Sequence, residues 1–238
     1  MTWQEMFPSA LRRLQIGDLT GSIGDPSGKS TERPLLDKSL LQTNMLGLKR
    51  DLQAFIKNSE TAIQASGKEL PDDTRGEIAD NSAHYAGMGI MDFFVTIGRH
   101  MRISGMLARD SVANRLREDA EGMSLTEFAY QAFQAYDFVW LNKNRNAVLQ
   151  VGGSDQWGNI CAGIELVHKI NNTAAHGLTV PLLTTQSGEK FGKSAGNAVW
   201  LDSSKTSHVR THLTRLCCVQ PWCFFAVRFL PVPVQPAR

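Results

Sequence analysis

The sequence predicts an α/β fold in which helices cover both faces of a parallel β-sheet. Three short apolar runs have the length and the flanking residues of buried strands, at 147–151, 178–183 and 198–201. The first run ends in Gly152-Gly153 and leads into a segment of helical periodicity at 154–170. Strands that alternate with helices in this way are typical of a parallel sheet.

Further helices are predicted before the first of these strands, at 36–58, 88–97, 105–116 and 124–140. The earliest has apolar residues at helical spacing, which indicates an amphipathic helix. The last begins with Ser124-Leu125-Thr126-Glu127, a capping-box pattern that marks a helix N-terminus. Polar or glycine-rich segments at 17–29 and 71–75 are predicted to be loops.

The composition excludes several classes of protein. A net charge of +2 is too small for a chain that binds nucleic acid over much of its surface, so any such contact must be local. Four cysteines give no disulfide framework, which favours a reducing compartment. No apolar run is long enough to span a membrane, and residues 1–15 lack a secretory apolar stretch. No metal site is predicted, because no usual zinc spacing fits His208, His212, Cys217, Cys218 and Cys223.

The first motif with chemical meaning is Gly24-Asp25-Pro26-Ser27-Gly28-Lys29, which is followed by Arg33. Glycines allow backbone N–H groups to approach a phosphate, and Lys29 and Arg33 add positive charge. The spacing is not that of a Walker P-loop. By itself the segment fits a surface turn with incidental charges better than a phosphate loop.

The second motif lies on the capped helix, where Tyr130, Gln134 and Asp137 are separated by offsets that place them on one face. A carboxylate and an amide on a largely apolar face need partners. A ligand with an amine and a hydroxyl would supply them. A satisfied internal hydrogen-bond network is at least as good an interpretation of the spacing alone.

Two further motifs are more informative. Gln150-Val151-Gly152-Gly153-Ser154-Asp155-Gln156-Trp157-Gly158-Asn159-Ile160 joins a strand to a helix N-terminus, which places a ligand at the carboxyl end of a sheet. Asp155 is suited to accept hydrogen bonds from ribose hydroxyls, although a capping role in a tight turn is the alternative. Lys190-Phe191-Gly192-Lys193 places two lysines on a glycine-containing loop, which could contact a phosphate chain or be a mobile basic surface loop.

Taken in this order, the four motifs resemble the catalytic domain of tyrosyl-tRNA synthetases, a class I aminoacyl-tRNA synthetase family. The resemblance covers about residues 17–206, and the sequence around GKSAGNAVWLD is most similar to that of mitochondrial members. It implies a Rossmann-like parallel sheet of class I aminoacyl-tRNA synthetases, incomplete here, with a helical insertion. It also implies a tyrosine–tRNA ligase that acts in the mitochondrial matrix or otherwise in the cytoplasm, as a homodimer through helices near 88–105.

The resemblance also implies a role for each motif residue. Asp25, Tyr130 and Gln134 would hold the tyrosine α-ammonium group, and Asp137 would accept the phenolic hydroxyl. Gln156 would lie near the carboxylate, and Gly153 and Asp155 would bind the ribose. The ATP pyrophosphate would be stabilised by Lys29, Arg33, Lys190 and Lys193.

The implied substrates are tyrosine, ATP with Mg²⁺, and tRNA(Tyr), without a tightly bound cofactor. The tyrosine carboxylate would attack the ATP α-phosphate, and the acyl group would then pass to the tRNA. Phenylalanine would be rejected because a buried Asp137 would lose its partner, a logic for which this family is itself the standard example.

Two departures from the family pattern affect these expectations. Only sixteen residues precede Gly17, with no HIGH-type motif, and 11–15 resembles the helix that follows that motif, so a strand is expected to be shortened or lost. The match ends near 206, so we expect a catalytic domain at 1–206 and a divergent tail at 207–238, truncated at both ends. We expect such a chain to be weakly active or inactive as it stands. Three interpretations stay open: a working ligase, which a partner chain could complete, a non-catalytic tyrosine- or nucleotide-binding fragment, and a truncated product that does not fold stably.

Overall fold

The computed structural model describes residues 13–27, 37–67, 69, 75–117, 122–182 and 206–207. Within these residues the chain forms two compact units, and each unit has its own two-stranded parallel sheet. The strand predicted at 198–201 lies outside the described residues. Over the part of the chain that is described, no helix combines the length and the apolar character needed to cross a membrane.

The first unit contains residues 13–22, 37–67 and 75–86. Its elements are β1 (Arg13–Ile16), α1 (Asp18–Gly21), α2 (Lys38–Ala65), β2 (Glu77–Asp80) and a 3₁₀ turn over Asn81–His84. The strands β1 and β2 run parallel. Arg13 lies opposite Glu77 in this register, and its Nε donates to the Glu77 carboxylate at 2.9 Å. The predicted helix at 36–58 is thus confirmed as the longer α2.

The second unit contains residues 23–27, 87–117 and 122–182. Its elements are α3 (Ile90–Thr96), a 3₁₀ turn over Gly98–His100, α4 (Ile103–Leu107), α5 (Asp110–Ala113), α6 (Leu125–Arg145), β3 (Leu149–Gly153), a 3₁₀ turn over Ser154–Gln156, α7 (Trp157–Asn171) and β4 (His176–Val180). The strands β3 and β4 are parallel, and Gly153 lies opposite Val180. The strand–glycine–helix prediction at 147–170 and the next strand are therefore confirmed.

The core of the second unit lies between α6 and α7. Ala135 and Val167 are fully buried, and Phe138, Ile160 and Leu166 are nearly so. Removing a large apolar side chain from water stabilises a fold by about 1.5–3 kcal/mol. These contacts hold the two helices in fixed positions, which matters because both helices contribute side chains to the candidate site.

The N-terminus of α6 is held by a buried ion pair. Arg115 and Glu127 are 2% and 3% exposed, and the Arg115 guanidinium donates to both carboxylate oxygens, at 3.0 and 3.4 Å. Ser124 is the N-cap, as predicted, and its Oγ accepts from the Glu127 backbone N–H. The Glu127 side chain is turned to Arg115, so it does not complete the predicted capping box.

Three expectations about local structure are wrong. The segment at 17–29, predicted to be a loop, contains the short helix α1 (Asp18–Gly21). The single helix predicted at 105–116 is two short helices, because Arg109 has an extended backbone and its guanidinium points to Glu165, 4.0 Å away. The helix-like segment at 11–15 is a strand from Arg13 onward, since Ile16 is buried and the backbone pairs with β2. The strand β2 itself was not predicted.

Candidate functional site

The candidate site lies in the second unit, beyond the carboxyl end of β3. Five polar side chains converge there, and we call them the Asn159 cluster: Asp25, Ser27, Gln134, Gln156 and Asn159. The loop at 23–27, the helix α6, the 3₁₀ turn and the helix α7 each supply at least one of them. The site is thus built at the end of a parallel strand, where α/β folds place their ligands.

The loop presents Asp25 through its local geometry. Gly24 has φ +83°, a left-handed conformation that side chains disfavour, so glycine is needed at this turn. The Ser27 backbone N–H donates to Asp25 Oδ1 at 2.9 Å, a local turn that fixes the carboxylate. The motif is therefore a structured loop that presents its Asp to α7.

Asn159 stands at the centre of the cluster. Its side chain is 6% exposed, and its Nδ2 lies within hydrogen-bond distance of four oxygen acceptors. The distances are 3.0 Å to Gln134 Oε1, 3.1 Å to Ser27 Oγ, 3.3 Å to Gln156 Oε1 and 3.4 Å to Asp25 Oδ1. An amide nitrogen carries only two protons, so it cannot satisfy all four acceptors at once.

Gln156 links the carboxylate to this centre. Its Nε2 donates to Asp25 Oδ2 at 2.6 Å, while its Oε1 is one of the acceptors around Asn159. Asp25 is the sole charged member of the five, so the cluster combines one negative charge with several acceptor oxygens grouped around Asn159. A ligand group that carries a positive charge and several donors, such as an ammonium group, is the chemical complement of this arrangement.

The corner after β3 brings together Gly153 and Asp155. A Cβ atom on Gly153 would lie 2.6 Å from Asp155 Oδ1 and 2.8 Å from Leu182 Cδ2. Position 153 has no space for a side chain, because the Asp155 carboxylate lies close against the end of the strand. Asp155 directly precedes Gln156, so this carboxylate is adjacent in sequence to the Asn159 cluster.

Tyr130 and Asp137 lie on α6, one turn before and one turn after Gln134, as their spacing predicted. Asp137 is 3% exposed. Burial raises the pKa of the neighbouring Tyr136 hydroxyl, and the charge of Asp137 raises it further. The helix thus places a buried carboxylate near the cluster, and the predicted face of three polar residues is present.

Of the predicted site residues, the structure brings together Asp25, Gln134 and Gln156. Asn159 Nδ2 lies within hydrogen-bond distance of all three, and Gln156 also donates directly to Asp25. The four predicted cationic residues lie outside the described residues, as do the histidines and cysteines near the C-terminus: Lys29, Arg33, Lys190, Lys193, His208, His212, Cys217, Cys218 and Cys223. Among the described residues, no group of three or more acidic, histidine or cysteine side chains could hold a metal ion.

Two members of the cluster, Ser27 and Asn159, were missed by the sequence interpretation. Both belong to motifs that the sequence had singled out, one in the first loop and one in the strand–turn–helix segment. Asn159 follows Gln156 by three residues at a helix start, a spacing that places the two side chains on one face. That spacing was the feature of the sequence from which Asn159 could have been predicted to lie beside Gln156.

Comparison with known proteins gives a consistent picture. The family model for tRNA synthetases class I (W and Y) matches residues 1–212. The mitochondrial tyrosine–tRNA ligase of Drosophila melanogaster is 46% identical over 193 residues, which are 81% of this chain and 41% of that protein. The tyrosine–tRNA ligase of Flavobacterium psychrophilum is 45% identical over 194 residues, covering 81% of this chain and 43% of its own length.

The fold agrees with that of a solved relative. A crystal structure of a C-terminally truncated mitochondrial tyrosyl-tRNA synthetase from Aspergillus nidulans matches with a TM-score of 0.73 and 30% identity. The match covers 84% of this chain and 57% of the other. The chain spans about two fifths of the length of the two curated relatives described above.

Proposed function

The chain belongs to the class I tRNA synthetases for tryptophan and tyrosine, on the tyrosine side of that family, and we propose that it carries the tyrosine-activating site of a tyrosine–tRNA ligase. The observation that carries this proposal is the Asn159 cluster, in which one carboxylate and three further oxygen acceptors lie around Asn159 Nδ2. Such a cluster is suited to the α-ammonium group of an amino acid.

Within this proposal each of the three predicted residues on α6 has a role. Asp25, Tyr130 and Gln134 hold the ammonium group, and Gln156 lies near the tyrosine carboxylate. Asp137 accepts the phenolic hydroxyl at the far end of the ligand. Its burial supports this role, because a hydrogen bond to a buried carboxylate is stronger than one in water, and phenylalanine cannot donate it.

The nucleotide is proposed to bind at the corner after β3. Gly153 lets the ribose approach the strand end, and Asp155 accepts hydrogen bonds from the ribose hydroxyls. Lys29, Arg33, Lys190 and Lys193 stabilise the pyrophosphate, and Mg²⁺ enters with ATP as part of the substrate.

The reaction requires positioning more than acid–base catalysis. A tyrosine carboxylate oxygen forms a bond to the ATP α-phosphorus, and the bond from that phosphorus to the bridging oxygen breaks, which releases pyrophosphate. The carboxylate is already a nucleophile, so the protein supplies alignment and charge stabilisation. The tyrosyl group then passes to the terminal adenosine of tRNA(Tyr).

The catalytic part is proposed to be 1–206, with 207–238 as a separate tail, since the family match ends at 212. A mitochondrial location is supported by the names of relatives from an animal and a fungus, although a bacterial relative is similarly close. The same names support a role for the chain in mitochondrial translation.

A homodimer is proposed through the α3–α4 region. Ile90, Met91, Phe94 and Val95 of α3 are all more than half exposed, and Ile103 of α4 is 66% exposed. An apolar surface of this kind is typical of an interface with a second copy. Sedimentation of the chain with and without Phe94→Glu tests this, and a chain that is monomeric at all concentrations would contradict it.

The test of the function is tyrosine-dependent exchange of pyrophosphate into ATP. The proposal predicts exchange with tyrosine and Mg²⁺, and only background exchange with phenylalanine. Its rate also tests the expectation of weak activity. Absence of exchange from folded chain at saturating substrates, or equal exchange with both amino acids, would contradict the proposal. Binding of a non-hydrolysable tyrosyl-adenylate analogue without exchange would identify a non-catalytic binding fragment.

A further inference from the structure

Asn159 has no role in the predicted set of site residues, yet it contacts more members of the site than any other residue of the cluster. Its two amide protons face four oxygen acceptors, three of which belong to residues predicted to bind tyrosine. One buried amide therefore holds three side chains that were predicted to bind tyrosine close to one point.

We propose that Asn159 is a positioning residue for the α-ammonium group, which it serves by orienting the oxygens of Asp25, Gln134 and Gln156 without saturating them. This inference rests on the proposed function. The Asn159 amide turns the three oxygens toward one place through its hydrogen bonds. Because the amide is neutral, it does not cancel the negative charge of Asp25. An arriving ammonium group brings three protons and a positive charge, and the carboxylate and amide oxygens of the cluster can each accept more than one hydrogen bond.

The position of Asn159 suits this role. It lies in the first turn of α7, its side chain is buried, and the next residue, Ile160, is 1% exposed in the core. A side chain held in this way loses little freedom when a ligand binds, and its partners are arranged in advance. Preorganised acceptors raise affinity because the ligand does not have to order them.

The same helix offers a matched control. Asn171 is also an asparagine of α7 that donates to α6, and its Nδ2 bonds to Val139 O at 3.1 Å and to Asn142 Oδ1 at 2.8 Å. Two protons meet two acceptors there, and none of the partners is charged. Asn171→Ala should therefore lower stability without affecting amino acid recognition.

The experiment measures binding of two ligands by calorimetry to the unaltered chain and to Asn159→Ala, Asn159→Leu and Asn171→Ala. The ligands are tyrosine and 3-(4-hydroxyphenyl)propionate, which lacks only the ammonium group. The proposal predicts that the preference for tyrosine falls about tenfold in both Asn159 variants, because the acceptors are no longer held in place before the ligand arrives. Affinity for the propionate should be unchanged, and Asn171→Ala should keep the full preference.

An unchanged preference in a folded Asn159 variant would overturn the proposal while leaving the proposed function intact. If the unaltered chain itself shows no preference for tyrosine, the amino acid site of the proposed function fails, and this inference fails with it. A measurement on the unaltered chain does not depend on the folding of variants. In ¹⁵N-labelled chain the Asn159 side-chain amide signal should shift with tyramine, which keeps the ammonium group, and not with the propionate. Equal shifts with both probes, or none with either, would overturn the proposal.

Discussion

Two hydrogen-bond networks join α6 to α7 at opposite ends of α7, and they differ in how their donors and acceptors balance. At the N-terminal end, Asn159 faces four acceptors, one of which is a carboxylate. At the C-terminal end, Asn171 donates to Asn142 Oδ1 and to a backbone carbonyl, and each proton has an acceptor.

The second network extends through neutral groups only. Thr173 Oγ1 also donates to Asn142 Oδ1, at 2.8 Å, and Asn142 Nδ2 donates to the carbonyl of Ala147 at 2.9 Å. A balanced, neutral network of this kind stabilises the helix pair and leaves nothing for a ligand to satisfy. If the proposed function holds, a carboxylate and several oxygens grouped around one amide distinguish the ligand-binding network from the structural one.

The greatest loss of stability is expected from a third polar contact of α6, the Arg115–Glu127 ion pair. Arg115→Met leaves a buried carboxylate without its partner, which should lower the free energy of unfolding by roughly 3–5 kcal/mol. Thermal unfolding measures this. The folded fraction should still prefer tyrosine over 3-(4-hydroxyphenyl)propionate, because the pair is structural.

Its control is the double variant Arg115→Met/Glu127→Leu, which removes both charges and should recover much of the lost stability. A double variant that is as unstable as the single one would show that the unpaired charge of Glu127 does not cause the loss of stability.

The largest change in ligand recognition is expected from Asp25→Asn, although its effect in kcal/mol is smaller than that of Arg115→Met on the free energy of unfolding. The substitution keeps the shape of the side chain and removes the sole charge of the Asn159 cluster. Tyrosine affinity should fall roughly hundredfold, since the ammonium group loses its ionic partner. Calorimetry with tyrosine measures the loss, and the propionate serves as the control ligand. An equal loss for both ligands would mean that Asp25 shapes the loop without binding the ammonium group.

The opposite pattern is expected from Asn142→Ala at the balanced network. The Asn171 amide, the Thr173 hydroxyl and the Ala147 carbonyl each lose a partner, which should cost about 1–3 kcal/mol of stability. Denaturant unfolding measures this cost. A fall in the preference for tyrosine at unchanged stability would contradict the assignment of this network to structure alone.

The least change at neutral pH is expected from Tyr136→Phe, which tests the environment next to Asp137. The pKa of Tyr136 is raised by burial and by the charge of Asp137. A raised tyrosine pKa means that the folded state holds the proton more tightly than the unfolded state does. This contribution is present in full below about pH 10 and is lost as the pH rises through the folded value. Unfolding curves from pH 8 to 11 should therefore decline more steeply for the unaltered chain than for Tyr136→Phe, and identical slopes would contradict this.

The sequence predicted the parts of the fold that depend on local pattern. The periodicity at 36–58 identified α2, and Ser124 marked the start of α6 correctly. The break at Arg109 and the strand at Arg13–Ile16 depend on contacts with Glu165 and with β2, which are distant in sequence, so no local pattern contains them.

The candidate site shows the same division. Its motif residues were found because glycine-rich turns and helical offsets are visible in the sequence. Asn159 and Ser27 were missed because their importance lies in the acceptors that surround them, and convergence of 23–27, α6 and α7 is a property of tertiary structure.

A single titration tests most directly whether the Asn159 cluster is a tyrosine site. The unaltered chain is titrated by calorimetry with tyrosine and, separately, with 3-(4-hydroxyphenyl)propionate. We predict that tyrosine binds at least about a hundredfold more tightly, because its ammonium group meets the Asp25 carboxylate and the other oxygens grouped around Asn159. Equal affinities, or no binding of tyrosine to the folded chain, would contradict this.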